Sequence, residues 1–231
     1  MEIEIWSDIV CPFCYIGKRK FENALKAFAH KDSVKIIWRS FQLDPGMVQV
    51  AGESVHQYLA KRKGVSLEKG KEMNAQMAAI AAEVGLIYNF DKAIIHNTLD
   101  AHRLLHLAYK HDVQNETKEA LFAAYYTGGK NLGDGATLIS IGETVGLDAN
   151  EMSNMLTSNE FENDVKLDQD RAAQVGVQGV PFFVFNNKYA VSGAQPTEVF
   201  ADVLNKVWEE EKPLVPTGDS AGVCNVDGVC N

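Results

Sequence analysis

Cysteine is scarce in this chain of 231 residues, which contains only four. They form two close pairs, Cys11 with Cys14 and Cys224 with Cys230, and residues 15–223 contain none. A structural disulfide framework cross-links distant segments of a chain, so this spacing argues against one. The clustering instead favours chemistry carried out by the cysteines themselves.

Positive charge is also scarce, with 22 lysines and arginines against 31 acidic residues and a net charge of −9. That sign is unfavourable for holding phosphate backbones or anionic lipid, so we expect neither nucleic-acid nor membrane partners. No apolar run approaches the ~18 residues of a membrane-spanning helix. The N-terminus, Met1 to Asp8, lacks the basic and apolar regions of a secretory signal, which predicts a cytoplasmic location.

The order of local patterns predicts an α/β fold in which a sheet is interrupted by a large helical insertion. Strand patterns at 2–6 and 34–41 flank a helical pattern, and further strand patterns follow at 181–185 and 188–191. The predicted units are a βαβ unit at residues 1–45, an all-helical insertion at 46–175, a ββα unit at 176–211 and a flexible tail at 212–231.

The first cysteine pair lies in the run Cys11-Pro12-Phe13-Cys14, directly after the first predicted strand. A helix N-terminus stabilises a thiolate through its unpaired N–H groups and its dipole, which lowers the thiol pKa below the free value of ~8.5. Pro12 suits the first helical turn, where its missing N–H has no intrahelical partner. The pattern predicts a redox pair in which Cys11 is the nucleophile and Cys14, one turn inside the helix, is the resolving thiol.

A zinc site is the rival interpretation of the same motif. Cys-Pro-x-Cys also begins many zinc knuckles, and four thiolates are enough for a tetrahedral site. Knuckles generally carry glycine just after the second cysteine, whereas Tyr15 and Ile16 follow here and continue a helix. The redox interpretation is favoured, no metal is expected, and a zinc-binding or chaperone-like module stays as an alternative.

A second motif, Gly179-Val180-Pro181, places proline at the first residue of an apolar strand, where its missing N–H is best tolerated. With this motif, the strand-CPFC-helix start and the segment Asn97 to Arg103, the chain resembles the DsbA family of thioredoxin-fold proteins. The resemblance covers about residues 1–211 and is strongest to the FrnE-like branch of that family.

The resemblance implies a protein disulfide oxidoreductase that needs no cofactor and acts on protein or small-molecule thiols and disulfides, glutathione among them. It implies that Cys11 attacks, that Cys14 resolves, and that Pro181 follows a cis peptide bond beside the dithiol. Val180 would offer backbone hydrogen bonds to an extended substrate. Many periplasmic members carry histidine between the cysteines, so the apolar Phe13 favours a weaker oxidant.

A related group of enzymes gives the alternative function. Kappa-class glutathione transferases and hydroxychromene carboxylate isomerases share the insertion layout but generally carry serine at the nucleophile position, where this chain has Cys11.

Three further polar residues are candidates for the site. Asp8, three residues before Cys11, is either a proton acceptor, a like charge that raises the thiol pKa, or a turn cap. The resemblance places Asn97 and His102 near the substrate groove, with packing as the alternative role.

The second cysteine pair, Cys224 and Cys230, encloses Asp227-Gly228, which favours a tight turn able to bring two sulfurs together. Some FrnE-like proteins resemble this chain in carrying extra C-terminal cysteines. Our hypothesis is a second redox pair that exchanges electrons with Cys11 and Cys14, and the alternative is a pair that oxidises only in air.

Overall fold

The computed structural model of the protein describes residues 1–211. The second predicted redox pair, Cys224 and Cys230, lies outside the described residues.

Four strands form one sheet in the order β2-β1-β3-β4. The strands are β1 (Glu2–Ser7), β2 (Lys35–Ser40), β3 (Phe182–Phe185) and β4 (Tyr189–Ser192). β1 pairs with β2 in parallel, while β1 with β3 and β3 with β4 are antiparallel. The tight turn between β3 and β4 contains Asn186 and Asn187, both with positive φ, as short hairpins require.

Nine α-helices accompany the sheet in the described part of the chain. They are α1 (Pro12–Ala27), α2 (Val55–Lys63), α3 (Leu67–Ala82), α4 (Leu99–Lys110), α5 (Gln114–Phe122), α6 (Gly135–Thr144), α7 (Ala149–Leu156), α8 (Glu162–Gln174) and α9 (Thr197–Glu210). A π-helical turn at Ala123–Thr127 continues α5. Over residues 1–211, no helix combines the length and apolar character needed to cross a bilayer.

Alternation along β1 explains why both faces of the sheet are covered. Ile3 and Ile5 are fully buried on one face, in a core that also contains Phe21 of α1 and Phe200 of α9. Trp6 lies in a separate cluster and donates from its indole nitrogen to the backbone carbonyl of Asp168 on α8 (2.9 Å). The α/β layering predicted from the sequence is therefore the observed one.

A polar network attaches α8 to the sheet. The carboxylate of Glu4 accepts from Arg39 on β2 (2.6 Å) and from Arg171 on α8 (2.5 Å). Asp168 pairs with Arg39 (3.2 Å) and accepts from the backbone N–H of Ser40 (2.8 Å). Both carboxylates are almost wholly buried and each has several donors, so the carboxylates are satisfied, while Nε of Arg171 has no partner within residues 1–211. The network fixes where α8 lies.

Helix α1 also packs against the helical segment between β2 and β3. Cys14, Tyr15 and Ile16 belong to a second core together with Leu104 of α4 and Phe122 of α5. The helix that begins at the cysteine motif therefore contacts the sheet core with one face and the inserted helices with another.

The edge strand β2 is capped by an amide side chain from α5. The backbone N–H of Trp38 donates to Oε1 of Gln114 (2.9 Å), and Nε2 of Gln114 donates to the carbonyl of Trp38 (3.0 Å). This pair replaces the hydrogen bonds that a neighbouring strand would make, in a buried setting.

We predict that Gln114→Ala lowers the free energy of unfolding by about 2–4 kcal/mol, because two buried backbone groups lose their partner. Urea unfolding measures this. The control is Gln195→Ala, which removes an exposed amide that donates to the carbonyl of Ser192 and should change stability by less than about 0.5 kcal/mol. Equal effects from the two variants would contradict the role given to Gln114.

Glycine at position 17 allows α1 to approach the start of β3. A Cβ at this position would lie 2.9 Å from Cγ of Pro181 and 3.5 Å from Cα of Ala194. The first distance is shorter than normal carbon contacts, so a larger side chain would push the Pro181 segment away from the helix.

Gly17→Ala should destabilise the protein by about 1–2 kcal/mol, since overpacking outweighs the gain in helix propensity. The matched control is Gly135→Ala in α6, where a Cβ meets only the flexible Cδ1 of Leu156, at 3.4 Å. That variant should be neutral or slightly stabilising. Thermal and urea unfolding of the two variants decide the point, and a stabilised Gly17→Ala protein would show that the contact is not tight.

Candidate active site

The two cysteines of the first motif lie at the N-terminus of α1. Cys11 is the N-cap residue, with extended backbone angles (φ −86°, ψ 111°), and Pro12 occupies the first turn. The backbone N–H of Cys14 donates to the carbonyl of Cys11 (3.0 Å). Both residues are free thiols; Cys11 is 5% exposed and Cys14 is fully buried. A partner sulfur can therefore reach Cys11 far more easily than Cys14.

The Val180-Pro181 segment lies against the Cys11 sulfur. The thiol of Cys11 donates to the carbonyl of Val180, with 3.4 Å between sulfur and oxygen. The Val180–Pro181 peptide bond is cis, the form that the sequence resemblance implied. The carbonyl of Pro181 accepts from the backbone N–H of Gly193 (2.8 Å), which ties this segment to the end of β4.

The electrostatics of Cys11 differ from the sequence-based expectation. The pKa of the Cys11 thiol is raised well above its usual value, first by its hydrogen bond with Cys14 and then by burial and by the charge of Asp8. The backbone N–H of Cys14 acts in the opposite direction but does not prevail. The lowering expected from the helix N-terminus is therefore wrong, because the hydrogen bond with Cys14, the burial of the sulfur and the charge of Asp8 outweigh it.

Asp8 forms a buried pair with His102. It is 1% exposed, and it accepts from the backbone N–H of Leu43 (2.8 Å) and pairs with Nε2 of His102 at 3.3 Å. Burial raises the pKa of Asp8, but its hydrogen bonds outweigh this and leave that pKa lowered. Burial lowers the pKa of His102 despite the carboxylate. A carboxylate beside a neutral imidazole is the resulting state at neutral pH.

Asn97 has a structural task in this arrangement. Its Nδ2 donates to the carbonyls of Pro45 (3.0 Å) and Met47 (3.2 Å), and its Oδ1 accepts from Gln42 and from the backbone of Leu99. These contacts hold the segment after β2 against the start of α4.

Tyr88 positions the cysteine motif from the inserted segment, which the sequence did not reveal. Its hydroxyl donates to the carbonyl of Pro12 (2.7 Å), and its ring stacks on Tyr126 with 4.2 Å between centroids. Tyr15, directly after Cys14, stacks on Phe122 at 4.8 Å. Only a contact between distant segments identifies Tyr88, because the local pattern around it is ordinary.

Lys118 of α5 is a second residue that the sequence did not single out. Its side chain is fully buried, and Nζ has no hydrogen-bond partner among residues 1–211. The ammonium lies over the rings of Phe122 (5.0 Å) and Trp38 (5.4 Å). Lysine on a helix usually reaches solvent, so no sequence pattern could have placed this one in the interior.

The exposed surface next to the thiols is apolar. Phe13 is 43% exposed between the two cysteines, and Val180 is partly buried. Within residues 1–211, no group of three or more histidine, cysteine or acidic side chains lies close enough to hold a metal ion.

Comparison with known proteins identifies the family. The chain matches the DSBA-like thioredoxin domain family over residues 2–205. A probable DsbA oxidoreductase from Streptomyces coelicolor has a similar structure, with a TM-score of 0.86 and 39% identity over 99% of this chain and 97% of that one. The uncharacterized protein YwbO of Bacillus subtilis (strain 168) is 26% identical over 89% of this chain and 96% of that protein.

A more distant likeness shows the fold alone. The cytosolic disulfide reductase DsbM from Pseudomonas aeruginosa, in a structure with GSH, is 13% identical with a TM-score of 0.66, over 90% of this chain and all of that one (100%). The α/β fold with a thioredoxin-like sheet and inserted helices is thus confirmed, and the chain belongs to the DSBA-like thioredoxin domain family.

Proposed function

We propose that the protein is a thiol:disulfide oxidoreductase that works through Cys11 and Cys14 and a mixed-disulfide intermediate. The observation that carries the proposal is the arrangement at the start of α1. One thiol is slightly exposed beside the cis Val180–Pro181 segment, and the second is wholly buried one helical turn behind it. Family membership supports an enzyme of the oxidoreductase class.

The different burial of the two sulfurs gives each its role. The Cys11 thiolate attacks a substrate disulfide, one substrate sulfur leaves as a thiolate, and a bond forms between Cys11 and the other. Cys14, which no substrate can reach, then attacks Cys11 and releases the second substrate sulfur. Two electrons pass to the substrate and the enzyme is left with a Cys11–Cys14 disulfide. The reverse sequence oxidises a dithiol substrate.

Val180 and Pro181 are proposed as the substrate-binding segment. The Val180 carbonyl already accepts a hydrogen bond from Cys11, so it points toward the reacting sulfur. An extended peptide lying along this segment would place its own sulfur against Cys11, and the exposed Phe13 ring would contact apolar neighbours of that sulfur. Protein thiols and disulfides are the proposed substrates, and glutathione is the proposed small-molecule partner.

Finer assignments follow the sequence resemblance. We propose the FrnE-like branch, a cytoplasmic location, and a division of the chain into thioredoxin-like parts at residues 1–45 and 176–211 around a helical insertion at 46–175.

We expect Cys11→Ser to abolish disulfide exchange and Cys14→Ser to accumulate trapped mixed disulfides, because only the second variant keeps the attacking thiol. Insulin reduction measures turnover, and mass spectrometry after incubation with oxidised glutathione measures the adduct. The double variant Cys11→Ser/Cys14→Ser is the blank. Both single variants should lose insulin turnover, so the adduct decides: as much glutathione adduct on Cys11→Ser as on Cys14→Ser would refute the assignment.

Cys224 and Cys230 are proposed, from the sequence alone, as a second redox pair that exchanges with the first. A tethered dithiol has a high effective concentration at a site it can reach. Changing both residues to serine should then slow reoxidation of Cys11 and Cys14 by glutathione disulfide. An unchanged rate in that variant, and in a chain truncated after Lys212, would leave the second pair without this role.

A further inference from the structure

Lys118 occupies a position that is unfavourable for a charged side chain. Its ammonium is buried without a hydrogen-bond partner in the described chain, and its closest aromatic neighbours are Phe122 and Trp38. Contacts with ring faces compensate only in part for the loss of water. Replacing a buried charge with an apolar side chain of similar size is often neutral or stabilising. The fold therefore gains little from this lysine as a structural element.

A second lysine of the same core provides the comparison. Lys18 is 1% exposed, but its ammonium contacts the carboxylates of Glu22 (2.6 Å) and Glu119 (2.6 Å). The fold thus supplies two counter-charges to one buried lysine and none in direct contact with the other. Lys18 thus joins α1 to α5 through its carboxylate partners. The charge of Lys118 is not neutralised by a carboxylate in contact with it, so it can act on other nearby groups.

The ionisable groups that affect Lys118 include both cysteines of the dithiol. Burial lowers the pKa of Lys118, the charges of Cys14, Asp8 and Cys11 raise it, and Lys18 lowers it. Besides burial, the charge of Lys118 lowers the pKa of His102 on α4. The Asp8 carboxylate is already bound by His102 and the backbone of Leu43, so it does not pair directly with the lysine. Of the three buried lysines and arginines in residues 1–211, Lys18 and Arg103 have carboxylate partners and Lys118 has none.

Packing connects the lysine to the resolving cysteine. Phe122, which lies under the Lys118 ammonium, stacks on Tyr15, the residue directly after Cys14. All three residues Cys14, Tyr15 and Phe122 belong to one core and are 4% exposed or less. In such an interior, a charge acts over several ångströms with little screening.

We propose that Lys118 supplies the positive charge that stabilises the Cys14 thiolate while Cys14 attacks the mixed disulfide. The inference rests on the proposed redox function of Cys11 and Cys14. Lys118 acts through the field and not by contact, since Nζ makes no hydrogen bond to either sulfur in the described structure.

The step that it assists is balanced without a further reactant. The Cys14 thiol loses its proton to solvent, and the thiolate attacks Sγ of Cys11. A Cys11–Cys14 bond forms, the bond from Cys11 to the substrate sulfur breaks, and the substrate leaves as a thiolate that takes up a proton from solvent. Negative charge develops on a fully buried sulfur at the start of this step, and the lysine offsets it there.

The ionisation of Lys118 agrees with this role. Burial lowers its pKa to about 8, although Cys14, Asp8 and Cys11 act to raise it. The group is therefore charged at neutral pH and loses its charge above about pH 8. Its contribution to the attack of Cys14 is present below that pH and declines above it.

The test uses the full-length protein and an aromatic disulfide, 5,5′-dithiobis(2-nitrobenzoate), whose thiolate product absorbs visible light. Reduced enzyme releases one thiolate when Cys11 attacks and a second when Cys14 resolves, so stopped-flow absorbance separates the two steps. Lys118→Met should slow the second release about tenfold or more at pH 7, as expected for a unit charge lost from a low-dielectric interior. The first release should change much less.

Matched variants separate charge from packing. Lys118→Arg, which keeps the charge, should retain the second rate within about threefold. Lys18→Met removes a buried lysine that has its own carboxylates, and should lower the urea midpoint while leaving the second rate unchanged. Lys118→Met should instead keep or raise the urea midpoint. Lys118→Gln serves as a second neutral variant.

The outcomes distinguish this inference from the proposed function. If the wild-type protein releases no second thiolate, the dithiol mechanism itself is wrong. If it does, and Lys118→Met or Lys118→Gln releases the second thiolate within twofold of the wild-type rate, the role of Lys118 is refuted alone. Failure of both neutral variants to fold would likewise overturn it, by showing that the lysine serves stability.

Discussion

Helix α1 is packed on two sides, and the positions of both sulfurs depend on this packing. Phe21 holds the helix to the sheet core, and Tyr15 and Ile16 hold it to the inserted helices. Two hydrogen bonds then fix the first turn of the helix. The N–H of Cys14 donates to the carbonyl of Cys11, and the Tyr88 hydroxyl donates to the carbonyl of Pro12. Since the helix cannot shift toward either side without opening a core, the two sulfurs stay one turn apart and unequally buried.

The buried charged groups Asp8, Lys18 and Lys118 differ in how well they are paired. Asp8 has its donors, Lys18 has its carboxylates, and only Lys118 is buried with neither in the described structure. Buried groups that are shifted by both burial and a specific charged neighbour are concentrated at functional sites. The aromatic rings around Lys118 keep water out and thereby extend the reach of its charge. The loss of water is unfavourable for this ammonium, in contrast to the buried carboxylates of Glu4 and Asp168, which each have several donors.

The sequence predicts the features that depend on residues adjacent in the chain. The predicted strands agree with the observed ones within one or two residues. β1 alternates acidic and apolar residues, β2 and β3 are short runs rich in apolar residues, and the turn residues Asn186 and Asn187 separate β3 from β4. The Cys11-Pro12-Phe13-Cys14 motif was placed at the start of a helix, where it lies. Such features are determined by residues that are adjacent in the sequence and by the order of strands and helices that the DsbA family shares.

Features that depend on distant contacts were not predictable in this way. The environment of Lys118 is made by Trp38 and Phe122, and the role of Tyr88 depends on a carbonyl 76 residues earlier in the chain. The pKa of Cys11 was expected to fall because a helix N-terminus is a local feature. It rises because the hydrogen bond with Cys14, the burial of the sulfur and the charge of Asp8 act more strongly. Cys14 and Asp8 are each three residues away along the chain, whereas the burial is made by distant segments and carries no signal in the local sequence.

The low exposure of Cys11 also bears on how the reactivity of its thiol would be controlled under the proposed function. The thiol donates to the Val180 carbonyl, an acceptor that favours the protonated form. A peptide backbone N–H bound along this segment would compete for the same carbonyl and remove that acceptor. The N–H of Cys14, which lowers the pKa of Cys11, would remain in place. Docking of an extended substrate would thus remove this one acceptor, while the effects of Cys14, burial and Asp8 on the pKa of Cys11 would remain. A sulfur that is 5% exposed and protonated between turnovers reacts slowly with stray oxidants. The burial that opposes the thiolate in the free enzyme therefore also limits the reaction of Cys11 with small oxidants.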